Sequence, residues 1–115
     1  MASITVYEKP TCTTCRKVNK LLSEKNISFD SVNYYIDPIT PGKLKDLLNK
    51  AKSGPVDFLR KKEEAYKQHV AGKELTDEKL IALMCKYPDL IQRPIVEKGS
   101  KAILARPVEV LADFL

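Results

Sequence analysis

Cys12 and Cys15 stand three positions apart in "KPTCTTCRKV" (residues 9–18), with Arg16 and Lys17 directly behind them. The spacing admits three chemistries: half of a zinc site, a redox pair, or one nucleophile with a helper. A zinc site needs about four ligands, usually Cys or His. Beyond the pair the chain offers only Cys85 and its single histidine, His69, with no second paired motif at ligand spacing. The sequence therefore speaks against metal. A sulfur at the first turn of a helix faces unpaired backbone N–H groups and the positive end of the helix dipole, both of which favour thiolate over thiol. Cys12 is so placed if a helix opens at Thr13. Cys15 lies about one turn further along the same side, near enough in principle to close a disulfide, which suits a resolving role. Cys85 falls on the apolar stripe of its segment and is expected in the core. His69, alone in a polar segment, is expected to be exposed.

The arginines raise a second possibility. In a chain dominated by lysine there are four: Arg16, Arg60, Arg93 and Arg106. Arg93 and Arg106 each precede a proline, in "RPIV" and "RPVE", where extended backbone is favoured. Two such arginines flanking a hairpin can converge at one end of a sheet. Planar, forked guanidinium donors suit tetrahedral oxyanions better than lysine does. Residue chemistry alone leaves an anion site and ordinary surface arginines both open.

These residues need elements to position them. "SITVYE" (3–8) alternates as a strand does, with Pro10 and Thr11 expected to stop it. Val18, Leu21 and Leu22 then repeat at helical spacing from Thr13 to about Lys25, with Asn26 as terminator. The cysteine pair thus belongs to a strand-to-helix junction. "ISFDSVNYYI" (27–36) predicts a second strand and "DPITPGKLKDLLNKAK" (37–52) a second helix, capped by Thr40 with Pro41 in its first position. "SGP" (53–55) breaks that helix, and residues 56–70 suggest one or two short helical pieces. "TDEKLIALMCKYP" (76–88) predicts a helix capped by Thr76, with Leu80, Leu83, Met84 and Tyr87 as its apolar face and Pro88 closing it. "RPIVEKGSKAILARP" (93–107) predicts a hairpin of "PIV" and "AIL" around "KGSK". A terminal helix, "PVEVLADFL", is expected to follow.

The chain as a whole is 115 residues, enough for one modest core, with 43% hydrophobic and 30% charged residues, close to ordinary globular averages. Its longest apolar runs fall well short of the roughly 18–20 residues that span a bilayer. "MASITVYEKP" lacks the basic-then-apolar pattern of a signal peptide, so a cytoplasmic, membrane-free protein is expected. Three cysteines in that setting argue against a disulfide scaffold. The net charge of +5 leans towards anionic partners. Basic and acidic residues are interleaved, as in "RKKEEAYK" (60–67), so a mixed-charge surface is expected rather than one that binds nucleic acid directly.

Four stretches, "ITVYEKPTCTTCRK", "FLRKKEEAY", "LIQRPIV" and "ILARPVEVL", make the sequence similar over nearly its full length to the glutaredoxin-linked bacterial arsenate reductase family. The resemblance implies an α/β, thioredoxin-like fold: a single domain over residues 1–115, with a small mixed sheet flanked by helices and a helical insertion at roughly 41–90. It also implies roles. Cys12 matches the family's nucleophile, Arg60, Arg93 and Arg106 match the three arginines that hold the oxyanion, and Pro94 matches its cis-proline beside the active site. The family includes Spx-type redox regulators that bind RNA polymerase, and YffB-type proteins. The Spx type usually lacks a counterpart of Arg106. Two positions depart from the reductase pattern: Glu8 stands where a histidine is common, and Cys15 where serine or another residue is. A carboxylate near Cys12 would oppose the helix dipole unless it points away or pairs with Lys9 or Arg16.

The activity so implied is arsenate reduction with no bound cofactor. The Cys12 thiolate would attack arsenic, glutathione would attack the adduct as thiol co-substrate, and glutaredoxin would resolve the mixed disulfide. Cys15 opens an internal route, in which it attacks Cys12 and thioredoxin or glutaredoxin reduces the disulfide. The alternative from the binding class is a redox regulator whose Cys12–Cys15 switch governs its affinity for RNA polymerase. A general thiol-disulfide oxidoreductase, which needs no oxyanion site, is a third.

Overall fold

The alternating N-terminal segment forms strand β1 (Ile4–Glu8). The structure, a computed structural model, describes residues 3–9 and 11–115, so Pro10, the expected strand stop, lies outside the described residues. Helix α1 (Thr13–Glu24) follows and buries Cys15, Val18 and Leu22, a face at three- and four-residue spacing. Asn26, at φ +56°, takes the left-handed conformation in which asparagine often ends a helix. Strand β2 (Asp30–Asn33) is shorter than the expected 27–36. Its flanks explain the difference. Ile27 and Phe29 pack against the core from a loop, and beyond the strand the amides of Ile36 and Asp37 turn back onto the Asn33 carbonyl.

β1 pairs in parallel with β2 and antiparallel with β3 (Ile95–Lys98), which forms a hairpin with β4 (Lys101–Leu104). The order β2-β1-β3-β4 is a four-stranded mixed sheet, as the thioredoxin-like expectation requires. Lys98 faces Lys101 across a two-residue turn whose Gly99 has φ +59°, a value glycine adopts without steric cost. The expected terminal helix is instead a 3-10 turn at Val108–Val110 followed by the four-residue α5 (Leu111–Phe114). Ile4, Val6, Val18, Leu22, Val96, Ala105 and Leu111 form the buried core between the sheet and these helices.

The chain divides into two compact units. The first runs to Asp37 and resumes over Arg93–Leu115; the second is Pro38–Gln92. The second is helical. α2 (Pro41–Lys50) has Pro41 in its first turn and Thr40 as cap, its hydroxyl accepting from Lys43 N at 3.2 Å. It starts at Pro41, as the sequence predicts, because that cap fixes the first turn. A 3-10 turn (Pro55–Phe58) and the short α3 (Glu64–His69) follow. α4 (Asp77–Lys86) is capped by Thr76, which accepts from Lys79 N at 3.2 Å. The buried face of α4 is Leu80, Ile81 and Met84, not the expected set with Leu83 and Tyr87, which stay partly exposed. α2 packs on α4 with Leu44, Leu47 and Leu48 buried. Cys85 is only half-buried, a position beside the α4 face rather than on it; burial still pushes its thiol up to about 11. His69 is not exposed either. Its ring stacks on Tyr87 at 4.1 Å between centroids, because the end of α3 meets the end of α4. Among the described residues no helix is long and apolar enough to cross a membrane.

Candidate functional site

Cys12 is the N-cap of α1, with extended backbone (φ −77°, ψ 127°), and its Sγ accepts from Cys15 N at 3.5 Å. A turn sealed by Cys12 N donating to the Lys9 carbonyl at 2.9 Å brings the chain from β1 into this position. Burial, the largest single influence, pushes the Cys12 thiol up. It is outweighed by the N–H and thiol of Cys15, the N–H of Thr14 and the charge of Arg93, so that the thiol is held below its ordinary value. Cys15 is the opposite case. It is fully buried, and burial, its hydrogen bond to the Cys12 sulfur, the charge of that sulfur and the charge of Glu8 together raise it to about 12. One sulfur favours thiolate and its neighbour holds a proton.

Arg93, just before β3, and Arg106, just after β4, lie at the open end of the hairpin. The Arg93–Pro94 and Arg106–Pro107 peptide bonds are both cis, the first as the resemblance implies and the second without any sequence signal. Ala105 N donates to the Pro94 carbonyl at 2.9 Å, and Arg106 Nη1 to the Arg93 carbonyl at 3.0 Å, which ties the two segments together. The same Arg106 nitrogen is 3.9 Å from Cys12 Sγ. Arg93 is only 9% exposed; its Nη1 donates to the Tyr35 hydroxyl at 3.4 Å, while its buried Nε has no hydrogen-bond partner among the described residues. Burial, the largest influence, opposes the charge on Arg93, but Tyr34, Tyr35 and the Cys12 sulfur more than offset it and the guanidinium stays ionised. A buried donor left unpaired in this way costs about 1–3 kcal/mol.

The first unit thus brings together Cys12, Cys15, Arg93, Pro94 and Arg106. Arg60 belongs to the second unit. There its amide donates to the Leu90 carbonyl at 2.8 Å, and its guanidinium meets Glu63 Oε1 through Nε at 3.1 Å and Nη2 at 2.9 Å. Glu8 is buried at the end of β1, and Asn19 rather than Lys9 or Arg16 supplies its hydrogen bonds, at 2.9 and 3.0 Å. Lys9 instead places Nζ 4.8 Å above the Tyr35 ring. Sequence reasoning missed Tyr34, Tyr35 and Asn19. The paired tyrosines were read as strand residues, and an asparagine inside a helix gives no signal until the sheet beneath it is known.

An arrangement of this kind can hold an anion beside a nucleophilic sulfur, since two guanidinium groups and a helix start meet there. Comparison with known proteins bears on what that arrangement is for. The family model described as "ArsC family" matches residues 7–114. An arsenate reductase of Neisseria meningitidis is 31% identical over 117 residues, covering 100% of both chains. The global transcriptional regulator Spx 1 of Bacillus cereus is 29% identical over 94 residues, 81% of this chain and 72% of the regulator. Among solved structures, an arsenate reductase from Vibrio cholerae superposes with a TM-score of 0.93 at 32% identity, over 99% of this chain and 98% of that one. The chain belongs to the ArsC family.

Proposed function

We propose that this ArsC-family protein is an arsenate reductase-like thiol oxidoreductase in which Cys12 is the nucleophile and Arg93 and Arg106 hold the oxyanion. The observation that carries the reading is the pairing of a sulfur held towards thiolate with two arginines, one of them 3.9 Å away and the other buried with a free Nε–H. Cys12 Sγ attacks arsenic, a new S–As bond forms and an oxygen leaves as water. Charge on the remaining oxygens is met by guanidinium donors in a partly desolvated site, where such contacts are strong. Glutathione or Cys15 then attacks the Cys12 sulfur, the S–As electron pair stays on arsenic, and arsenite departs. Glutaredoxin or thioredoxin reduces the resulting disulfide. Arg60 is assigned as a third oxyanion ligand by resemblance alone, and its ion pair with Glu63 makes it the arginine to test separately.

Arsenite release from arsenate by the purified chain with glutathione and glutaredoxin tests the proposal. Cys12→Ser should abolish it and Arg106→Lys should reduce it; full activity in Cys12→Ser would sink the reading. Two observations favour the second reading, a redox regulator that binds RNA polymerase: Cys15 supplies a partner for a Cys12–Cys15 switch, and a similar chain is a transcriptional regulator. Retention of RNA polymerase from lysate in one redox state only would support it, and equal retention in both would count against it.

A further inference from the structure

Ile4, Val6 and Glu8 alternate along β1 onto the same face, yet the first two are apolar and Glu8 is a carboxylate just 6% exposed. A buried carboxylate is costly unless well paired, and an apolar residue would serve packing better. Its hydrogen-bond partner is neutral. Asn19 Nδ2 donates to Glu8 Oε1 at 3.0 Å and Oε2 at 2.9 Å, and the same nitrogen contacts the Cys15 carbonyl at 2.7 Å. Asn19 follows Cys15 by four residues, so both lie on one face of α1. The Asn19 amide thereby links the carboxylate to the backbone of the fully buried Cys15, and the carboxylate's charge acts on that thiol.

We infer that Glu8, positioned by Asn19, is the proton acceptor for Cys15 when Cys15 resolves a bond formed at Cys12. The inference rests on the reading of Cys12 as nucleophile and Cys15 as its resolving partner. While Cys12 is a thiolate it accepts a hydrogen bond from the Cys15 thiol, and Cys15 keeps its proton. Once the Cys12 sulfur is bonded to arsenic or to another sulfur it carries no negative charge, and that acceptor is lost. Glu8 then takes the proton, and the Cys15 sulfur bonds to the Cys12 sulfur. The bond from Cys12 to its adduct breaks, its electron pair leaving on arsenic, which goes from As(V) to As(III), or on the departing thiolate. The two cysteines lose two electrons together, and an external thiol reductant restores them. Among the described residues, α1 sets the Cys12 sulfur and the exposed Arg16 near this pair; Lys9, next to Glu8, places its Nζ over the Tyr35 ring; β2 sets the neutral Asn33 in register with Glu8; β3 sets Ile95 opposite Tyr7; Arg93 and Arg106 act at Cys12.

An aromatic disulfide that releases a coloured thiolate reads the two sulfurs separately in the full chain carrying Cys85→Ala. The first release reports Cys12, and the second reports attack by Cys15 on the mixed disulfide. General-base assistance is typically about a hundredfold or more. Glu8→Gln should slow the second release by at least about tenfold near pH 7 and leave the first within about twofold, with the deficit shrinking towards pH 9 as hydroxide takes over the base's role. Glu8→Asp should keep the wild-type pH profile. A second release in Glu8→Gln as fast as wild type, or slowed equally at every pH as disturbed packing would do, overturns the assignment. If Glu8→Gln does not fold, Glu8→Asp decides: a second release that loses the wild-type pH profile overturns it, and one that keeps it supports it. Arsenate takes no part in this assay. A Glu8-dependent second release without arsenite production would remove the proposed substrate and leave the proton acceptor standing.

Discussion

Two cysteines of one helical turn are driven in opposite directions by what surrounds each sulfur. Cys12 lies at the helix start, where N–H groups and Arg93 favour its anion; Cys15 is buried, with anionic neighbours. Alkylation of Cys12 followed against pH should therefore have its midpoint below that of an ordinary thiol. Arg93→Gln should move that midpoint up, and an unchanged midpoint would remove Arg93 from the account. Loss of one charge-assisted hydrogen bond costs about 1.5–3 kcal/mol, so Arg106→Lys should lower kcat/KM for arsenate roughly ten- to a hundredfold. The raised thiols carry a stability consequence. A raised thiol pKa contributes stability that is whole below the unfolded value and is lost as pH rises through the folded value, about 11 for Cys85. Urea midpoints should fall between about pH 9 and pH 11, and Cys85→Ala should flatten that fall. Equal slopes in the two proteins would show that Cys85 does not titrate with unfolding.

At the scale of elements, local chemistry was legible and tertiary choice was not. Thr40, Pro41 and Thr76 announce their helices because a cap is satisfied within three residues, as the bonds to Lys43 N and Lys79 N show. Thr76→Ala should accordingly destabilise by about 1 kcal/mol in denaturant unfolding, and no loss would mean that the cap is dispensable. Asn26 read correctly as a stop, since left-handed backbone favours asparagine and glycine over residues with a bulkier Cβ. By contrast, alternation at Ile27 and Phe29 arises from a loop that packs on the core, so periodicity overextended β2. α4 offers apolar residues around most of its circumference, and which three are buried depends on α2. Val18→Ala or Leu22→Ala should be far costlier than a cap loss, about 2–4 kcal/mol, because both side chains are fully buried between α1 and the sheet.

Over the whole molecule, one unit carries the sheet, the cysteine pair and the two proline-preceded arginines, although 94 residues separate Cys12 from Arg106. The sequence pointed to these residues by type: a helix-start cysteine and forked cations before proline. It could not reveal that Tyr35 holds Arg93 or that Asn19 holds Glu8, since each contact joins segments whose proximity only the folded sheet creates. Membership of the ArsC family narrows the chemistry, and the internal sulfur pair makes the central claim testable without any added reductant. Fully reduced protein, freed of small thiols and mixed with excess arsenate, holds in Cys12 and Cys15 the two electrons that one arsenate requires. About one arsenite per chain is expected from the wild type and none from Cys12→Ser. No arsenite from the wild type even after glutathione and glutaredoxin are added, or an undiminished yield from Cys12→Ser, would contradict it.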